Sequence, residues 1–346
     1  MILVWNLIWL HTMTSVLKFK YLFTTIFLII GTFLWVSYPR IYQVTGSAFG
    51  TYYKVIVIGS KFSVNEKKLK SKVESRLIEL DQLFSTYRID SELMKLNLAP
   101  VNVSVSLKPE AVSLIELSIQ LKKKIGKSWD PTLVPLSKKY GFSTIKELRG
   151  SVVGLEHLSI VSSSEVIKRA DIVLDLSSIA KGYAVDQLSN LVNKYKITGA
   201  YVDIGGEIKT FGNRVDGKPW GIGIQSPVKT KELIHVIYAN NMAIATSGNY
   251  LNYKEKNGKK IGHILDPRSK SYIKHDLISV SIVAQECAIA DAVATGVFVM
   301  GVKEAKKWLN QNKYPALLIV RKNGKIESKF INGFDRLLNP SMSFSF

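Results

Sequence analysis

The chain has 346 residues, 47% of them hydrophobic, a formal net charge of +20 and a single cysteine, Cys287. That length supports one large domain or two smaller ones with real cores, and a lone cysteine excludes an internal disulfide and a zinc–cysteine cluster. The charge is mostly lysine spread along the chain, which suits anionic lipid headgroups or phosphorylated small molecules; with no nucleic-acid module and no arginine-rich segment interleaved with aromatics, nucleic acid is not expected as a partner.

Lys18 and Lys20 precede an uncharged run, Tyr21 to Pro39, built mainly of Phe, Leu, Ile, Val and Thr. Its length is close to the roughly 20 residues that a helix needs to cross a bilayer. Lysines before the run, with none directly after it, place the N-terminus in the cytoplasm. A signal peptide is the rival reading, but no clean Ala-x-Ala site follows, and no cysteine near the end of the run offers a lipid attachment point. Met1 to Leu10 is a second, short apolar stretch; with a start at Met13 the remainder reads as an ordinary signal-anchor. The expected organisation is residues 1–20 in the cytoplasm, 21–39 as one transmembrane anchor, and 40–346 as one domain on the far side.

Tyr52 to Ile58 reads as a strand, followed by a lysine-rich helix from about Val64 to Leu83 with Leu77, Leu80 and Leu83 on its inner face. Phe84 to Leu93 is a polar turn that opens a short helix ending near Asn97. The next helix, Pro109 to Ile125, carries Val112, Ile115, Leu117 and Ile119 and stops at Gly126. Ser128-Trp129-Asp130-Pro131-Thr132 is then expected as an exposed loop, its tryptophan either anchored on the core or a platform for a flat ring.

The stretch from Asp171 to Asp186 is the most informative. Ile172, Val173 and Leu174 predict a short buried strand, Ser177 and Ser178 offer hydroxyls as helix N-caps, and Ala184, Leu188, Leu191 and Val192 give a helix with one apolar face. A strand running into a helix through such a turn suits a phosphate or another anion, and Asp175 and Lys181 bracket it. Further strands are expected at Ala200–Ile204, which runs into Gly205-Gly206-Glu207, at Trp220–Ile224, at Ala243–Gly248 and at Leu277–Ala284. His263 stands at a strand-to-turn junction. The last helix, from about Glu286 to Met300, buries Val293, Val297 and Met300 and puts Asp291 and Thr295 together on another face. A carboxylate and a hydroxyl one turn apart can offer two oxygens to a hard cation such as magnesium.

Taken together, these motifs resemble the FAD:protein FMN transferase (ApbE) family from about Ser47 to Leu338. The resemblance rests on Phe49-Gly50-Thr51, Ser85-Thr86-Tyr87 with Asp90-Ser91-Glu92-Leu93, the run Asp175 to Asp186, Gly205-Gly206-Glu207, Thr246-Ser247-Gly248, His263-Ile264-Leu265-Asp266-Pro267 and Ala290 to Thr295, in the family's order. It implies an α+β fold of mixed, largely antiparallel sheets with packed helices, preceded here by the N-terminal transmembrane helix. It also implies a Mg²⁺-dependent enzyme that splits FAD, its substrate, and passes FMN to a Thr or Ser hydroxyl of an acceptor protein, releasing AMP. The implied acceptor is a subunit of a membrane redox complex on the outer face of a bacterial inner membrane.

Carried over by position, Asp291 and Thr295 resemble side-chain ligands of the metal, and Ser178 the position that adds a backbone oxygen. Asp175, Lys181, Leu265 and Ala294 match FAD-contacting positions, and Phe49, Tyr87 and the Ser128-Trp129-Asp130 loop those that hold the adenine and isoalloxazine portions. Lys270 departs from the pattern, standing where the family usually has glycine. The stretch between Asp130 and Asp175 is also shorter than in some relatives. For the base that deprotonates the acceptor hydroxyl, His263 is the first candidate and an aspartate near the metal, Asp291, the second. Two alternatives remain: a FAD pyrophosphatase in which water replaces the protein hydroxyl, and a non-catalytic membrane-anchored FAD-binding protein.

Overall fold

The computed structural model describes residues 2–143, 145, 150–229, 231–256 and 259–341; Met1, one of the two candidate starts, lies outside them. The first helix, α1, runs without interruption over Ile2–Ser37, and its Leu17–Ser37 portion is long and apolar enough to cross a membrane. It stops where Tyr38 precedes Pro39, because a proline ring disfavours helical backbone in the residue before it.

The rest is organised by one sheet of eight strands: β1 Arg40–Ala48, β2 Thr51–Gly59, β3 Ile197–Ile204, β4 Glu207–Gly212, β5 Ala243–Gly248, β6 Leu277–Ala284, β7 Ala316–Lys322 and β8 Lys325–Ile331. Their order in space is their order in the chain, and every neighbouring pair is antiparallel. The expected mixed, largely antiparallel α+β architecture is therefore the one observed. The β1–β2 turn, Phe49-Gly50, has both residues at positive φ, 52° and 72°, which matches the twist of the flanking strands.

What makes the molecule more than a meander is what is inserted between strands. Between β2 and β3 lie α2 Glu66–Phe84, α3 Glu92–Leu98, α4 Pro109–Ile125, α5 Val134–Tyr140, α6 Ala180–Val192 and a small three-stranded sheet. Between β6 and β7 lies α7, Cys287–Asn312, interrupted at Gly301, where φ is 73°. The helix ends follow local chemistry. Asn65 and Ser91 cap α2 and α3 by accepting from the amides of Lys68 and Met94, α4 opens on Pro109, and it closes on Gly126 at positive φ.

The sheet separates two cores. One face packs against α2, α4, α6 and α7 through residues such as Val55, Val202, Ala245 and Ile282. The other is covered by the hairpin Trp220–Gln225/Leu233–Ala239 and by Phe334 and Leu337, over Ile208, Ile244, Leu317 and Ile319. The predicted strand at Trp220 thus exists, but outside the main sheet.

Two local expectations are corrected. Ile172 to Leu174 is buried but joins no sheet; the Asn97 side-chain amide takes the place of a strand neighbour, accepting from Leu174 N at 2.8 Å and donating to Leu174 O at 2.9 Å. The Trp129 loop is not exposed, since Ser128, Trp129, Asp130 and Thr132 are all buried, and Lys122 pairs with Asp130 at 2.8 Å.

Candidate active site

The site is built where α6 and α7 cross. Ser177 and Ser178 do not cap α6; its N-cap is Ile179, with no side-chain bond. The acceptor comes from the other helix instead, as Asp291 Oδ2 of α7 takes the Gly182 amide at 3.1 Å. In return Asp186 of α6 accepts the first amides of α7, Cys287 N at 3.0 Å and Ala288 N at 2.9 Å, while Lys209 on β4 pairs with Asp186 at 2.6 Å. Each helix start therefore ends on a carboxylate of its neighbour, favoured by the free N–H groups and the positive end of the helix dipole. Gly182 makes the crossing possible, because a Cβ there would collide with the Cys287 carbonyl oxygen.

Beside this crossing Lys181 Nζ reaches Glu207 Oε1 at 2.6 Å. Burial raises the carboxyls of both Glu207 and Asp291 above their ordinary range, and the nearby Lys181 ammonium opposes that rise in each. Burial also works against the charge on Lys181, yet Glu207 and Asp291 together hold it above its usual range. Two buried carboxyls thus share one ammonium, and when both are ionised one negative charge is in surplus. Glu207 Oε2 is buried with no hydrogen-bond partner among the described residues, an open acceptor in a place where such atoms are rare. One turn beyond Asp291, the Thr295 hydroxyl lies 3.0 Å from that of Ser247 on β5.

These groups line one side of a cavity of about 450 Å³. Of the residues singled out from sequence, Tyr87, Ser128, Trp129, Asp130, Asp175, Ser178, Lys181, His263, Leu265, Asp291 and Thr295 all line it. Phe49 does not: it sits half-buried in the β1–β2 turn against the core. Ala294 does not either, being fully buried in the core. The Ser178 hydroxyl accepts from the Trp129 indole at 3.0 Å, so it holds the ring in place instead of capping a helix. Asp175, its carboxyl raised by burial, accepts from the Ser177 amide at 2.9 Å, and its own amide donates to Pro131 O at 2.8 Å.

His263 Nδ1 lies 3.1 Å from Asn252 O. A carbonyl only accepts, so Nδ1 carries the proton and Nε2 keeps its lone pair. Burial, and then the Lys181 charge, lowers the His263 pKa below its ordinary value and favours this neutral form. Lys270, which replaces a glycine of the family pattern, takes φ 51°, so the turn keeps a glycine-like conformation with a lysine in it.

Sequence reasoning missed Glu207 as a site residue and Asp186 as the clasp of α7. Both stand in the quoted motifs, but their partners lie far off in the chain. Among the described residues no three His, Cys, Asp or Glu side chains converge as a metal cluster. What the site offers beside the Lys181 ammonium is oxygen donors, the carboxyls of Asp291 and Glu207 and the hydroxyls of Thr295 and Ser247. That is the chemistry of a hard divalent cation's surroundings.

The ApbE family model matches residues 49–318. A FAD:protein FMN transferase of Vibrio cholerae is 32% identical over 291 residues, covering 81% of this chain and 87% of the relative. One of Escherichia coli K12 is 30% identical over 304 residues, covering 82% and 85%. The crystal structure of the Pseudomonas stutzeri flavinyl transferase ApbE, apo form, superposes with a TM-score of 0.79 at 29% identity, covering 87% of this chain and 97% of that one. The flavin transferase ApbE from Vibrio cholerae gives the same score and identity over 87% and 100%. The motifs, the antiparallel scaffold and these matches agree, and the chain belongs to the ApbE family.

Proposed function

We propose that this protein is a Mg²⁺-dependent FAD:protein FMN transferase, anchored by Leu17–Ser37 in a bacterial inner membrane with its catalytic domain on the periplasmic side. The observation that carries the reading is the pair of buried carboxyls, Asp291 and Glu207, sharing the ammonium of Lys181 at the wall of a cavity of about 450 Å³. Asp291, Thr295 and the backbone oxygen of Ser178 are the proposed ligands of Mg²⁺; bound there, the ion would supply charge neutralisation for the pyrophosphate. Glu207 holds Lys181 toward the same region, where its ammonium can take a phosphate oxygen of FAD.

The reaction joins the acceptor Thr or Ser oxygen to the FMN-side phosphorus and breaks the bond from that phosphorus to the bridging oxygen, which leaves with AMP and the bond's electron pair. The acceptor's proton goes to His263 Nε2, the nitrogen left free by the Asn252 carbonyl. Little covalent work remains for the protein, so positioning and charge dominate. Tyr87, exposed at the cavity rim, is placed for a flat ring of the substrate, with Leu265 at the cavity wall and the buried Trp129, fixed by Ser178, as the floor beneath the Ser178 turn. Phe49 and Ala294, which do not line the cavity, contribute through the packing of the core.

The test is incubation of the full chain with FAD, MgCl₂ and an acceptor domain of a membrane redox subunit, followed by intact mass measurement. An FMN-sized gain on the acceptor with AMP release supports transfer. AMP and free FMN without labelling would make the protein a pyrophosphatase, and an inert mixture a binding protein.

A further inference from the structure

The end of α1 is not a free tether. Lys61 N donates to Val36 O at 3.2 Å, Lys61 Nζ lies 3.7 Å from the Trp35 ring centroid, and Arg40 sits 4.6 Å from the same ring. Cation–π contacts of this kind strengthen when they leave water. Next to them Phe62, 70% exposed, lies 6.4 Å ring to ring from Phe33 of α1, itself 62% exposed. A loop of the extracytoplasmic domain therefore presents a bare aromatic ring beside a bare aromatic ring of the anchor.

Depth follows from helix geometry. Leu17–Ser37 is 21 residues, about 31 Å at 1.5 Å per residue, the thickness of a bilayer's hydrocarbon. Phe33 is four residues inside its outer end, about 6 Å below the boundary. Even if the whole 6.4 Å between the rings pointed outward, Phe62 would reach only that boundary. Just above, Arg40, Lys61 and Lys67 line a hollow of about 530 Å³ together with one acid, Glu66. The excess of cations at this height complements anionic headgroups.

We infer that the loop at Lys61–Phe62 and the start of α2 form a membrane-docking surface: Phe62 enters the outer leaflet beside Phe33, and Arg40, Lys61 and Lys67 take anionic phospholipid headgroups. The domain is thereby held against the bilayer in one orientation instead of swinging on its anchor. This rests on the reading of Leu17–Ser37 as a span, and it is independent of the flavin chemistry.

The test uses the full chain in nanodiscs. Native Cys287 is fully buried, so a single introduced cysteine takes the fluorescent label. Labels are placed at Phe33→Cys, Phe62→Cys and Lys325→Cys, the last on β8 at the opposite edge of the sheet, and quenching by lipids carrying a shallow spin label is read. Quenching at 33 and 62 but not 325 is the expected result. Quenching at 33 alone overturns the docking surface while leaving the span intact. Quenching at neither overturns both. With phosphatidylglycerol in the disc, Lys61→Glu and Lys67→Glu should each lower the docked-to-lifted ratio at 62 by about five-fold or more. No change on reversing these charges, or equal docking in purely zwitterionic discs, contradicts headgroup binding.

Discussion

The two faces of the eight-stranded sheet use the same strands for different ends. Toward α7, strand β5 presents Ala243, Ala245 and Ser247; toward the hairpin it presents Ile244. Small side chains let a helix approach closely, and α7 itself is rich in buried alanine, with Ala288, Ala290, Ala292 and Ala294 all in the core. The result is a hydroxyl-to-hydroxyl contact between Ser247 and Thr295 and a cavity wall with charges in it. The far face is filled by branched and aromatic residues, among them Ile208, Leu317, Ile319 and Phe334. Both faces carry bulky core residues, but where β5 meets α7 small side chains stand beside the site.

Substitutions should divide accordingly, and by effect on transfer rate they rank as follows. Asp291→Ala removes both a proposed metal ligand and the acceptor that fastens the start of α6; FMN transfer measured by acceptor mass should fall by about 10³-fold or more. Gly182→Ala forces a methyl into the Cys287 carbonyl. It should cost about 1–3 kcal/mol in denaturant unfolding and lower transfer about 10-fold or more by moving Asp291 away from the Ser178 turn. Phe334→Ala, on the other face, should cost about 3–5 kcal/mol yet leave the rate per folded molecule within about two-fold. A rate loss for Phe334→Ala matching that of Gly182→Ala would erase the distinction between the faces.

Two smaller effects sharpen it. Burial, with Asp291 alongside, raises the Glu207 carboxyl to about 7. A carboxyl with a raised folded-state pKa binds more protons folded than unfolded, so its contribution to stability is present below the ordinary carboxylate range and is lost as pH rises toward 7. The metal-free domain should therefore melt higher near pH 5 than near pH 7.5 in this respect, and Mg²⁺ should narrow the difference; a calorimetric series with and without the ion checks both. Lys270→Gly, which relieves a left-handed lysine in the turn after Arg268, should stabilise by about 0.5–1 kcal/mol without altering the rate, as measured by chemical unfolding.

Local chemistry made much of this readable. The α4 boundaries, Pro109 and Ile125, follow from an opening proline and a closing glycine, and Leu77, Leu80 and Leu83 do line the inner face of α2. Ordered motifs pointed to the family. What could not be read were the long-range exchanges. The acceptor for Gly182 comes from 109 residues away and that for Cys287 from 101, so two serines in the right local place looked like caps that the fold does not use. The same holds for Asn97, whose amide replaces a strand neighbour 77 residues away, and for the loop at Trp129, expected to be exposed but buried, with the Trp129 indole donating to Ser178 and Asp130 paired with Lys122. Phe49 and Ala294 stand in the family motifs yet are packed into or against the core and do not line the cavity, a distinction between lining and packing that a pattern of residues does not carry.

The central claim is that the surplus buried charge of Asp291, Glu207 and Lys181 holds a divalent cation against the substrate's diphosphate. It is tested most directly by the thermal shift that FAD produces with and without Mg²⁺, in the native chain and in Asp291→Asn. The account expects FAD to raise the melting temperature strongly only when Mg²⁺ is present, and expects that dependence to vanish in the variant. An equal, Mg²⁺-dependent rise in both proteins would contradict it.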